Sequence, residues 1–202
     1  MTKIKLCGLT RIGDIEAANR IMPDYVGFVF ASKSKRRVSP EAAMQLKQAL
    51  SPQIKAVGVF VNESVESVAK LLKCGIIDIA QLHGDEDEEY ISRLRRLSEK
   101  PLIKAFRVKS PADIRAAENC TSDYVLMDSG AGTGRTFNWT LLKGMSKPYF
   151  LAGGLDPDNI ADAIKQLNPY AVDVSSGIET DGTKDEAKMA AFAAAVRKDE
   201  GT

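Results

Sequence analysis

The chain reads as an α/β protein, a (β/α)8 TIM barrel forming one domain over residues 1–202. Three observations point there. Short apolar runs alternate with helical periods about eight times along the chain. The runs are bounded by turn residues, as parallel strands buried on both faces should be. A length of 202 residues is near the lower end for such a barrel and ample for one large core. An open doubly wound sheet would use the same units, and eight of them favour closure.

The spacing predicts strands over Ile4–Cys7, Tyr25–Phe30, Lys55–Phe60, Asp78–His83, Leu102–Arg107, Tyr124–Asp128, Tyr149–Ala152 and Ala171–Val174. Helical periods fill the gaps. Val65, Val68, Ala69 and Leu72 recur at i, i+3, i+4 and i+7, as do Ile160, Ala163, Ile164 and Leu167, and later Met189, Phe192, Ala193 and Val196. Ser39-Pro40-Glu41 and Asp156-Pro157-Asp158 look like helix starts, with a cap, Pro at the first helical position and acid in the first turn. After Asp128 there is only a short helix candidate around Trp139–Lys143. No linker, low-complexity segment or internal repeat stands out.

Composition narrows the function classes. Lys+Arg is 28 against Asp+Glu 27, which argues against nucleic-acid or membrane-surface binding driven by bulk charge. No apolar run approaches the ~20 residues of a membrane span. The first residues read as a strand rather than a secretory leader. Cys7, Cys74 and Cys120 are widely spaced and fit no metal-ligand pattern, so a reducing cytoplasm with free thiols is expected.

In a barrel of this kind chemistry sits at the C-terminal ends of the strands, and period-two alternation says which side chains face inward. Lys3, Lys5 and Cys7 would face inward, with Ile4 and Leu6 under the helices; Leu126 shares a face with Asp128, and Gln81 with His83. Cys7, Asp128 and His83 therefore reach the mouth. Each has a plain alternative: a free Cys as a small buried hydrophobe, Asp128 as a turn cap, and His83, the only histidine, as a structural residue. Cys74 and Cys120, at helix ends or in loops, read as structural.

Two glycine clusters sharpen the picture. Ala152-Gly153-Gly154-Leu155 follows the seventh strand, and Ser175-Ser176-Gly177-Ile178 follows the eighth. Those are the positions at which such barrels hold phosphate, using backbone N–H groups. Gly153, Gly154 and Gly177 allow close backbone approach, and Ser175 or Ser176 could add hydroxyl donors. The run Ala31–Arg37 is basic and lies beside the mouth; it is either a solvated loop or part of an anion site.

At this point several segments resemble the phosphoribosylanthranilate isomerase family: Lys5-Leu-Cys-Gly-Leu-Thr10, Val26-Gly-Phe-Val-Phe30, Lys33-Ser-Lys-Arg36, Val57-Gly-Val-Phe-Val-Asn62, Gln81-Leu-His-Gly84, Gly134-Arg-Thr-Phe-Asn-Trp139, Ala152-Gly-Gly-Leu155 and Val172-Asp-Val-Ser-Ser-Gly-Ile-Glu179. They occur in order from Ile4 to about Phe192. Departures are mild: Arg135 where lysine is common, and Ala152 where serine is common.

The resemblance implies a TIM barrel that isomerises an aminoaldose to an aminoketose in tryptophan biosynthesis. Carried over by position, Cys7 is the general base and Asp128 the general acid. Arg36 holds the substrate's carboxylate, the two glycine loops hold its phosphate, and His83 belongs to the binding site. No metal or cofactor is implied, because a Schiff base serves as the electron sink. The expected partner is a small phosphorylated substrate, with no nucleic acid or membrane, and the chain works as a monomer or homodimer. The chemistry asks for a protonated Asp128, hence a raised pKa, and for a modestly lowered Cys7 thiol.

The histidine-pathway aminoaldose isomerases are expected to carry an Asp where Cys7 stands and a glycine pair after strand three, where this chain has Val59-Phe-Val-Asn62. A barrel synthase or aldolase would need a catalytic lysine, for which an inward Lys5 or Lys104 are the candidates. A phosphate-ligand sensor would need neither Cys7 nor Asp128. Inside the barrel, Lys5 on the first strand and Asp173 on the eighth either pair, directly or through one water, since neither could be buried alone, or stay apart, with Lys5 solvated at the mouth and Asp173 holding backbone.

Overall fold

The computed structural model describes residues 1–128 and 139–198. Eight strands, β1 (Lys3–Cys7), β2 (Tyr25–Val29), β3 (Lys55–Phe60), β4 (Ile79–Leu82), β5 (Leu102–Arg107), β6 (Tyr124–Asp128), β7 (Tyr149–Ala152) and β8 (Ala171–Val174), pair in chain order. All pairs are parallel, and β8 closes the barrel on β1 with Lys5 opposite Asp173. The predicted closed barrel is the observed one.

Helices α1 (Ile12–Ile21), α2 (Pro40–Ala49), α3 (Val65–Lys73), α4 (Glu88–Leu97), α5 (Pro111–Asn119), α6 (Ile160–Leu167) and α7 (Glu186–Lys198) cover the outside. Between β6 and β7 the described residues hold a 3-10 turn, Trp139–Leu142, where the sequence offered only a short helix. The Ser39 hydroxyl accepts the Ala42 N–H at 3.2 Å, capping α2 one residue before Pro40, as expected. At Asp156-Pro157 the outcome differs. Asp156 accepts the N–H groups of Asp158 and Asn159 at 2.9 and 3.0 Å and its carbonyl accepts the Ile160 N–H at 3.2 Å, so it caps a leading turn that runs into α6, whose regular part begins at Ile160. The Asn159 amide donates to the Gly154 carbonyl at 2.8 Å, tying this start to the glycine loop.

The strands' inner faces pack Tyr25, Val57, Ile79, Ile103, Leu126 and Phe150 into the barrel. Their outer faces, including Ile4, Leu6, Val26, Phe28, Leu82, Val125, Met127 and Val172, meet the helices. Each such aliphatic or aromatic side chain contributes ~1.5–3 kcal/mol when fully buried. The N-terminal end of the barrel is closed by Tyr25, Tyr124 and Tyr170. The Lys3 ammonium donates to the Tyr170 hydroxyl at 3.0 Å, and Tyr170 in turn donates to Tyr124 at 3.3 Å. Access is therefore from the C-terminal ends of the strands.

After β8 the chain makes a two-residue hairpin, β9 (Glu179–Thr180) and β10 (Thr183–Lys184). Its turn, Asp181-Gly182, has φ of 52° and 75°, the double left-handed geometry that Asp-Gly favours in a type I′ turn.

Candidate active site

A cavity of about 280 Å³ opens at the C-terminal mouth, lined by Cys7, Arg36, Gln81, His83, Arg107, Asp128, Ala152–Leu155 and Asp173–Ser176. It gathers Cys7, Asp128, Arg36, His83, Gly153, Gly154, Ser175 and Ser176 from five strand ends and the loop after β2. Gly177 is not on its wall. Its role is close packing: a Cβ there would lie 2.1 Å from the Leu155 carbonyl oxygen. Gly177 thus lets the turn after β8 sit against the loop after β7. Gly177→Ala is expected to part those loops, raising KM for a phosphorylated ligand and costing ~1–3 kcal/mol of stability. Unchanged KM and thermal midpoint would show that the contact relaxes freely.

Gly153 and Gly154 have φ of 93° and 68°, a region closed to most side chains. Their loop can therefore expose its backbone to the cavity. Ser175 is less available than the sequence suggested: its hydroxyl donates to the Cys7 carbonyl at 3.1 Å, tying β8 to β1. Ser176 is exposed on the cavity rim.

Beneath the mouth, Lys5 is fully buried and its ammonium lies 2.8 Å from Asp173 Oδ2, so the two pair directly. It also donates to Gln81 Oε1 at 2.7 Å. Burial works against the ammonium, but Asp173 and Cys7 outweigh it and hold Lys5 above the ordinary lysine pKa. Asp173 Oδ1 is buried with no hydrogen-bond partner among the described residues.

Cys7, 7% exposed, packs with Val29 and Val59 at the cavity wall. Its thiol differs from expectation. Burial pushes its pKa up, Lys5 and Lys184 pull it down, Asp173 adds to the rise, and the net shift is upward. Burial costs the thiolate more than the two lysines return.

Asp128, at the end of β6, is part-buried, and its Oδ2 lies 3.2 Å from His83 Nε2. His83 follows β4, and its Nδ1 lies 2.8 Å from Gln81 Nε2. The lone histidine is therefore bracketed by two site residues.

Arg36 is the one member of the basic run that turns to the cavity; Lys33, Lys35 and Arg37 stay exposed. Its Nε and Nη2 donate to the two Glu179 oxygens at 2.6 and 2.7 Å, a bidentate clamp. Lys184 donates to the same Glu179 at 2.6 Å and to the Ser175 carbonyl at 2.7 Å. Burial opposes the Glu179 charge, but Arg36 and Lys184 hold its carboxyl below the usual range. The β9–β10 hairpin thus fixes Arg36 in place.

Sequence reasoning missed Arg107, Glu179 and Lys184. Arg107 was reachable by alternation, since Ile103 and Ala105 face inward and Arg107 follows them on the same face, paired in register with Asp128. The hairpin was signalled by Asp181-Gly182 between Thr180 and Thr183. Lys104 is a correction. It lies on the outer face of β5, where its ammonium donates to the Gly84 carbonyl at 2.6 Å and lies 3.2 Å from Glu86. It cannot serve as a catalytic lysine at the mouth. Cys74 is exposed at the end of α3, whereas Cys120 is buried at the end of α5. Arg135 lies outside the described residues.

Comparison with known proteins places the chain as a whole. The family model for N-(5'phosphoribosyl)anthranilate (PRA) isomerase matches residues 4–195. The N-(5'-phosphoribosyl)anthranilate isomerase of Clostridium acetobutylicum is 48% identical over 207 residues, covering 98% of this chain and 99% of that one. A crystal structure of phosphoribosyl anthranilate isomerase in complex with reduced 1-(o-carboxyphenylamino)-1-deoxyribulose 5-phosphate superimposes with a TM-score of 0.88 at 35% identity, covering 98% and 100% of the two chains. A structure of monomers generated from the dimeric enzyme of Thermotoga maritima gives 0.87 at 34% identity and the same coverage. With fold and near-complete sequence agreeing, the chain belongs to the N-(5'-phosphoribosyl)anthranilate isomerase family.

Proposed function

We propose that the mouth cavity performs the family's isomerisation in tryptophan biosynthesis, with Asp128 as general acid and Cys7 as general base. In this reading N-(5-phosphoribosyl)anthranilate becomes 1-(2-carboxyphenylamino)-1-deoxyribulose 5-phosphate, an Amadori rearrangement. The observation that carries the mechanism is that Cys7 and Asp128, from the ends of β1 and β6, line one cavity beside the glycine turns of β7 and β8.

The steps balance without an added oxidant or reductant. Asp128 gives its proton to the ribose ring oxygen as the C1′–O bond breaks, and the nitrogen lone pair forms a C1′=N iminium. The Cys7 thiolate takes the C2′ proton. That C–H electron pair becomes C1′=C2′, and the C=N electrons return to nitrogen. Transfer of the C2′ hydroxyl proton to solvent and protonation at C1′ give the aminoketose. Exchange with water resets Asp128 and Cys7.

Binding falls to the surrounding groups. The exposed backbone of Gly153 and Gly154, with Ser176, takes the phosphate. Glu179 uses the Nε–H and one Nη2–H of Arg36, and the remaining guanidinium N–H groups take the substrate carboxylate. Arg107 adds a second cation at the rim. Each group named belongs to one chain, so catalysis as proposed needs no second copy. We place the enzyme in the cytoplasm: its three cysteines are free thiols, as a reducing compartment keeps them. No helix among the described residues is long and apolar enough to cross a membrane.

Loss of the substrate's anthranilate-type fluorescence on adding purified protein tests the activity, and an unchanged signal would reject it. Arg36→Met is expected to raise KM more than it lowers kcat, because a carboxylate clamp holds ground state and transition state alike. An unchanged KM would remove Arg36 from the binding site.

A further inference from the structure

Beneath the cavity the hydrogen-bond donors and acceptors have only one self-consistent arrangement. The Lys5 ammonium has N–H groups and no acceptor, so the Gln81 atom 2.7 Å away must be the carbonyl oxygen. That turns the Gln81 NH2 group to His83 Nδ1, at 2.8 Å. The NH2 group only donates, so Nδ1 must carry the lone pair. The single proton of the neutral ring then sits on Nε2, facing Asp128 Oδ2 at 3.2 Å. Lys5 cannot turn to any other arrangement, because it is fully buried and also bound to Asp173.

We propose that Gln81 is a positioning residue that passes the donor direction of Lys5 to His83, locking the ring as the Nε2–H tautomer. His83 then donates to Asp128 Oδ2. An oxygen that accepts a hydrogen bond from a neutral ring is the unprotonated one, so the proton Asp128 delivers is carried on Oδ1. The catalytic consequence rests on the acid role of Asp128 proposed above. The tautomer does not.

The chain has one histidine, so selective 15N labelling of histidine gives a spectrum with a single imidazole. Two-bond 15N–1H correlations at neutral pH are expected to show Nε2 protonated and Nδ1 bare. Gln81→Glu replaces the donor with a carboxylate, and the proton is expected to move onto Nδ1. Its kcat is expected to fall at least about tenfold with KM little changed. Gln81→Met, uncharged and of similar length, is expected to leave the two tautomers averaging, and it provides the same readout if the Glu variant does not fold. A protonated Nδ1 or an averaged ring in the unaltered protein would overturn the proposal, as would a Gln81→Met spectrum identical to the parent's. The spectrum is independent of turnover. A failure of the acid assignment would instead appear as an active Asp128→Asn enzyme with the Nε2–H pattern intact.

Discussion

Asp128→Asn is expected to lower kcat by roughly 10²–10⁴-fold, the usual contribution of a general acid, while leaving fold and ligand affinity close to those of the parent. The substitution isolates the proton. An asparagine carbonyl oxygen can still accept the His83 Nε2–H that lies 3.2 Å from Asp128 Oδ2, so the ring keeps its seat. The amide cannot, however, protonate the ribose oxygen. Steady-state kinetics on the fluorescent substrate, calorimetric affinity for a reduced product analogue and circular dichroism separate these effects. A loss under about tenfold, with affinity retained, would remove Asp128 from the acid role.

Cys7→Ala is expected to be comparably damaging, and Cys7→Ser nearly so, since a hydroxyl ionises far less readily than a thiol. The pH dependence follows from the raised thiol. The active form is the thiolate, whose fraction rises about tenfold per pH unit below its pKa. Burial moves that pKa upward, so the rate at which a thiol reagent inactivates the enzyme should climb from neutral pH and level off only beyond the free-thiol value of ~8.5; kcat/KM also needs Asp128 protonated, and the two opposed fractions offset one another. In Cys7→Ser that pH-dependent inactivation should disappear. A thiol reagent should inactivate the parent enzyme, and a saturating product analogue should protect it. An inactivation rate flat between neutral and alkaline pH, or a Cys7→Ala enzyme retaining more than a tenth of its activity, would exclude the thiol as the base.

Cys7 and Asp128 were legible because each ends a short strand and alternation gives its face. Lys5 and Asp173 were legible because two inward charges on adjacent strands have no other way to be buried. Lys104 went astray because β5 begins with two apolar residues, Leu102 and Ile103, so hydrophobicity at its start does not reveal which face is which. Packing decided it: the loop after β4 folds over the outer face, bringing Glu86 and the Gly84 carbonyl to the ammonium.

What the sequence determined by itself is what repeats along the chain or depends on neighbours a few residues away. Those features are the eight strand–helix units, the Ser39 cap, the glycines whose φ values only glycine readily adopts, and the family motifs. What only the tertiary structure decided is what depends on distant segments meeting. Arg36 and Glu179, 143 positions apart in the chain, close a bidentate clamp because a two-residue hairpin swings back over the mouth. The Cys7 thiol is raised rather than lowered because burial, with Asp173 nearby, costs its thiolate more than Lys5 and Lys184 return. Both outcomes depend on the balance of desolvation against charge, and that balance is set by which side chains the closed barrel brings within a few ångströms of one another.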